Sequence, residues 1–133
     1  MLKKIICLMS FSLIFLISGC VSVKPTLNGF YQCTTTDGYH IQMSFDKENN
    51  SFIEYIDNRE VNKGTYEKKG NNIYKLTGDT QSFEIILNDK NYFEMTIKKL
   101  NNGDLIKMDY IDNTPTYFEI EFNDVDKYKK LLN

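Results

Sequence analysis

From Asn28 onward the chain alternates apolar and polar residues in short runs, and clusters of turn-forming residues interrupt the alternation at fairly even intervals. Tyr39, Ile41, Met43 and Phe45 share one side of such a run, with His40, Gln42 and Ser44 on the other. Phe83, Ile85 and Leu87 alternate with Ser82, Glu84 and Ile86, and Phe93, Met95 and Ile97 with Tyr92, Glu94 and Thr96. Ile106, Met108 and Tyr110 oppose Lys107 and Asp109; Phe118, Ile120 and Phe122 oppose Glu119 and Glu121. A period of two with one apolar face belongs to antiparallel strands that lay one side on a core and the other in water. The breaks fall at Asp37 and Gly38, residues 46–50, Asp57 and Asn58, residues 68–72, 77–80, 88–91, 101–104 and 112–115. Eight turns predict nine strands. Short links make neighbours in sequence neighbours in space, so the expected fold is all-β: a small antiparallel up-and-down barrel of eight or nine strands, closed to remove exposed edges.

The period changes at the end of the chain. Asn123 reads as a helix cap, Asp124 and Asp126 fall in the first turn, and lysines follow at 127, 129 and 130. Val125, Tyr128, Leu131 and Leu132 form an apolar stripe, which predicts a short helix over 124–131 packed on the barrel or plugging one end.

The first twenty residues follow neither rhythm. Lys3 and Lys4 precede an uncharged, largely apolar segment from Ile5 to Gly19, too short for a usual membrane span and right for the core of an export signal. It closes with Leu16, Ile17, Ser18, Gly19 and Cys20, which resembles the bacterial lipobox. That resemblance implies cleavage after Gly19 and a lipid anchor, glyceride and palmitate, on Cys20. More than one acyl chain is needed for a stable hold, since each buried methylene contributes about 0.8 kcal/mol. The chain therefore divides into a signal peptide (1–19), a lipidated N-terminus and tether (20–27) and a barrel domain (28–133). The protein is expected on the extracytoplasmic side of a cell membrane or outer membrane.

Removing the signal leaves 114 of the 133 residues, enough for one domain. Lys3 and Lys4 leave with it, so 14 basic side chains face 18 acidic ones. The acidic balance and the absence of clustered Lys and Arg argue against nucleic acid. Cys7 also leaves and Cys20 carries lipid, so Cys33 is alone and no internal disulfide is available. A domain without a staple relies on packing.

Candidate chemistry is sparse. His40 is the sole histidine, and no second nitrogen or thiolate stands at ligand spacing, so no metal or other cofactor is expected. Asp46 with Glu48, and Asp109 with Asp112, read as solvated turns or strand faces ahead of calcium sites. Cys33 reads as a small buried hydrophobe. Pairing it with His40 across the Asp37 turn is the one nucleophile geometry on offer, and no third residue orients the imidazole. The expectation is a monomer without catalysis. Its first reading is a binding module for a small apolar ligand held on the inward face by Phe45, Phe83, Phe93, Met95, Met108 and Phe118. The alternative is a filled barrel that meets an envelope protein through surface aromatics, with Tyr39, Tyr92 and Tyr117 as candidates.

Two family resemblances accompany these readings. Asn28, Gly29, Phe30 and Tyr31 at the head of a strand meander resemble the opening of the lipocalin and calycin class, Tyr31 standing where that class carries tryptophan; this implies a barrel with a ligand mouth. Tyr31, Gln32 and Cys33, followed by Asp37, Gly38, Ile41, Met43 and Phe45, resemble the first hairpin of the membrane-bound C-type lysozyme inhibitors. That likeness implies an inhibitor or envelope-protective lipoprotein acting through its outer surface.

Overall fold

The computed structural model describes residues 24–133, so the signal peptide and Cys20 lie outside the described residues. Eight strands follow one another up and down: β1 (Gly29–Thr34), β2 (His40–Asp46), β3 (Ser51–Ile56), β4 (Arg59–Gly70), β5 (Ile73–Gly78), β6 (Phe83–Ile86), β7 (Phe93–Met95) and β8 (Ile106–Asp112). They form one antiparallel sheet in the order β6-β5-β4-β3-β2-β1-β8-β7, curled into a nearly closed barrel. The expected all-β barrel with a short C-terminal helix is the observed fold.

Turn chemistry sets the joints. Asp57 and Asn58 both take positive φ, 49° and 69°, the geometry of a two-residue hairpin turn whose twist matches its flanking strands. Asn50, Asn72 and Asn91 adopt the same left-handed region at the β2–β3, β4–β5 and β6–β7 turns, a conformation asparagine tolerates better than most residues.

Closure fails at one place. β6 and β7 are joined through the 88–91 turn, where the Asn88 N–H donates to the Tyr92 carbonyl at 3.0 Å, yet no ladder runs between them. Each of these free edges carries a charge near its middle, Glu84 and Glu94, a usual guard against unwanted strand pairing.

The expected ninth strand is not one. Residues 113–122 run as an extended strap over the outside of β1, β2 and β3 without entering the sheet. The Thr116 backbone binds the Ser44 hydroxyl through both its N–H and its carbonyl, and the Phe118 ring lies between Phe30 (6.3 Å) and Tyr55 (4.9 Å). The physical reason is local supply: where β8 ends at Asp112, its neighbour β1 already has both edges paired, to β2 and β8. An alternating segment arriving there can bury Phe118 only against an outer face.

The strap ends in α1 (Val125–Lys129) and a 3-10 turn (Lys130–Leu132), close to the expected helix over 124–131. The cap is Asp124, one residue beyond the expected Asn123, and its carboxylate does not close on the helix. It is taken by Arg59, whose Nε and Nη2 each donate at 3.0 Å, while the guanidinium lies 3.9 Å from the Phe122 ring centre and 4.6 Å from that of Tyr128. A planar cation held by a carboxylate and two rings is a strong clamp. Leu132 then enters the core, closing one end of the barrel, while Leu27 closes the other by accepting from Tyr66 Oη and donating to Tyr74 Oη.

Arg59 also holds the Asp124 carboxyl below the usual carboxylate range. A lowered value means that the clamp's contribution is complete above the ordinary carboxylate range and lost as pH falls through the lowered one. Deuterium uptake of residues 123–132 is accordingly expected to rise in Arg59→Met at neutral pH, and in the parent only at strongly acid pH. Equal uptake in parent and variant would refute the clamp.

Candidate functional site

The inward face is occupied by rings along the barrel axis. Tyr31 packs against Phe45 at 5.6 Å and Phe93 at 5.2 Å between ring centres, and Phe45 in turn meets Phe93, Tyr66 and Phe52 at 6.0, 5.4 and 6.3 Å. Tyr31 Oη donates to Asn91 Oδ1 at 2.7 Å, so even its polar end is matched, and burial drives its ionisation upward. Of the six residues expected to line a ligand, Phe45, Phe93, Met95 and Met108 are buried in this core, and Phe83 is half-buried against it. Phe118 is the correction: it lies outside the barrel under the strap, because its segment is not part of the sheet. Clefts open on the surface. One of about 390 Å³ follows the open seam between β6 and β7, lined by Glu84, Ile86, Tyr92 and Glu94 among others.

Cys33 and His40 stand on paired strands but on opposite faces. Cys33 pairs with Ile41 across the hairpin and His40 with Thr34, so alternation sends their side chains to opposite faces. The Cys33 thiol reaches the Thr34 carbonyl at 3.5 Å and His40 Nδ1 the Thr34 hydroxyl at 2.9 Å. Burial, with Asp109 nearby, pushes the thiol above its ordinary value, away from the thiolate that nucleophilic chemistry uses. Asp46 closes its own turn instead, accepting from the Glu48 N–H and the Asn49 amide, and Asp112 accepts from the Thr114 N–H. Among the described residues no group of three metal-ligating side chains comes together.

The unexpected group is Glu54. It lies on β3 between Phe52 and Ile56, facing inward, opposite Met43 on β2 and Asn62 on β4, and it is 0% exposed. Neither carboxylate oxygen meets a hydrogen-bond partner. Asn62 spends one amide N–H on the Gln81 carbonyl at 2.8 Å and its Oδ1 accepts from the Thr80 and Gln81 N–H groups, which leaves only its second amide N–H beside the carboxyl. A Cβ on Gly78 would stand 2.1 Å from that Oδ1, so glycine there makes room for the bracket. Burial pushes the Glu54 carboxyl up to about 7, against a weaker downward pull from Asn62. A register shift helps to place it, since Val61 has no cross-strand partner and both Val61 and Asn62 turn inward beside it. The alternation Phe52, Glu54, Ile56 was a usable sign, because a charged residue in step with two apolar ones on a strand must enter the core or break the face.

Comparison with family models, with curated proteins and with solved structures gives no match for this chain.

Proposed function

We propose that this protein is a bacterial lipoprotein, exported by residues 1–19 and held to the extracytoplasmic face of a membrane by acyl chains on Cys20, whose barrel is a non-catalytic interaction module working through its outer surface. The observation that carries the choice of surface over interior is the Tyr31, Phe45 and Phe93 cluster on the barrel axis. A carrier for an apolar molecule needs a concave, largely preformed pocket, and here the rings occupy that place. Support for the anchor comes from residues 16–20.

Surface aromatics are the natural contacts. Tyr117 is exposed on the strap, whereas Tyr39 and Tyr92 are half-buried, so Tyr117 is the strongest of the three expected candidates.

Two measurements test the reading. Cys20→Ser is expected to move the protein from the detergent phase to the aqueous phase in a partition assay; unchanged partitioning would sink the anchor. Native mass spectrometry of that soluble form is expected to show the bare chain mass. Recovery of a stoichiometric apolar molecule would restore the small-ligand reading.

A further inference from the structure

The up-and-down topology sends the N-terminus and three hairpins to one rim of the barrel. β1, β3, β5 and β7 start there, and β2, β4, β6 and β8 end there, as the Phe30 to Asp112 and Ile73 to Ile86 pairings require. Leu27 is locked into that rim by the Tyr66 and Tyr74 hydroxyls, and Pro25 is half-buried next to it. From Cys20 to Lys24 there are four residue steps, which reach at most about 14 Å when fully extended. A strand of seven residues such as β2, tilted in a barrel, spans about 16 Å along the axis. A lipid on Cys20 therefore holds this rim closer to the bilayer than the opposite end.

Large apolar side chains stand in water at this rim, as Leu105 (62% exposed) and Ile120 (68% exposed) do at the opposite end. Ile86, the last residue of β6, is 65% exposed; Ile111, next to the end of β8, is 49% exposed; Tyr117, beside Asp46 and Lys47 at the β2–β3 turn, is 51% exposed. In barrel order these sit along the arc from β6 through β7, β8 and β1 to β2, five of the eight strands. Lys24, Lys47, Lys68, Lys69 and Lys90 stand on or beside the same turns, matched in number by Asp46, Glu48, Glu67, Asp89 and Asp112. The rim is neutral overall. Its affinity for a membrane would rest on apolar contact and on tyrosine at headgroup level, without a need for anionic lipid.

Resting on the lipidation of Cys20 proposed above, we infer that the rim carrying Ile86, Ile111 and Tyr117 is a lipid-contacting surface, which docks the barrel on the bilayer and presents the opposite end, with α1 and the Arg59 clamp, to the outside. The occupant of this apolar rim is a lipid surface because the length of the tether brings one to it.

The test uses the full, lipidated chain reconstituted in vesicles of phosphatidylcholine alone. Flotation with the vesicles reports the anchor. Separately, a fluorophore is placed on Ile111→Cys at the rim or on Lys129→Cys at the far end, each in a Cys33→Ala background, and quenched by lipids labelled near the headgroup. The rim label is expected to be quenched at least about threefold more than the far label, with little change when a third of the lipid is phosphatidylglycerol. The variant Ile86→Ser with Tyr117→Ser should still float while losing that difference. Failure to float overturns the anchor and the docked pose together. Flotation with equal quenching of the two labels overturns the docked pose alone, as does a rim signal that appears only with phosphatidylglycerol.

Discussion

Glu54→Met is expected to stabilise the barrel at pH 8 by about 3 kcal/mol, a rise in Tm of roughly 10 °C for a domain of this size. The sign follows from linkage. Burial raises the folded carboxyl to about 7 from an ordinary 4.5, so the folded state binds the proton more tightly than the unfolded chain. The corresponding stability is fully present below the ordinary value, falls as pH rises between the two, and levels off above the folded value. Methionine has nearly the volume of glutamate and needs no partner, so it keeps the contacts with Met43, Phe52 and Ile56 and removes the ionisation. The gain should shrink toward pH 4.5, where the parent is protonated, and the variant's stability should be flatter over that window. Chemical denaturation of the Cys20→Ser form across pH 4.5 to 8 reads both effects. A parent whose stability does not decline over this range would show that Glu54 reaches solvent or a partner in solution.

The other large effect belongs to the axis of the barrel. Phe45→Ala should cost about 4 kcal/mol, since it deletes a fully buried ring and leaves a cavity among Tyr31, Phe52, Tyr66 and Phe93. An apolar cavity of this kind stays dry and accepts a small aromatic guest. Benzene is therefore expected to raise the Tm of Phe45→Ala and to leave the parent unmoved. A parent stabilised by benzene as strongly as the variant would mean that the barrel already holds a usable pocket, against a filled interior. The two substitutions probe one core with opposite signs: at one position the native side chain strains the interior, at the other it completes it.

These positions also mark where sequence reasoning stops. Met43, Phe45, Phe93 and Met108 could be placed inward from alternation alone, because a strand has only two faces and a run of apolar residues on one of them has a single economical burial. Phe118 obeyed the same alternation and went elsewhere. Period two reports that a residue shares a side with its neighbours at two places' distance, and it does not report which surface that side meets. With both edges of β1 already taken, the strap laid its apolar residues on the outer face, where Ser44 and Tyr55 gave its backbone hydrogen bonds. Ile120, in the same alternating run, remained in water.

Turn positions and strand spacing were determined by the chain itself, as were the absence of any disulfide between described residues and the change to helical period after Asn123. All of these depend on local backbone preference, on side-chain spacing or on counting cysteines, and none requires a distant partner. Only the tertiary structure decided that the sheet stays unzipped between β6 and β7, that Arg59 captures Asp124 across 65 positions, and that Glu54 is sealed without a partner. Each of those outcomes depends on which groups are already satisfied when two remote segments meet, and that competition is settled by packing in three dimensions, where a carboxylate can be enclosed because the residues around it gain more by closing than it loses by staying.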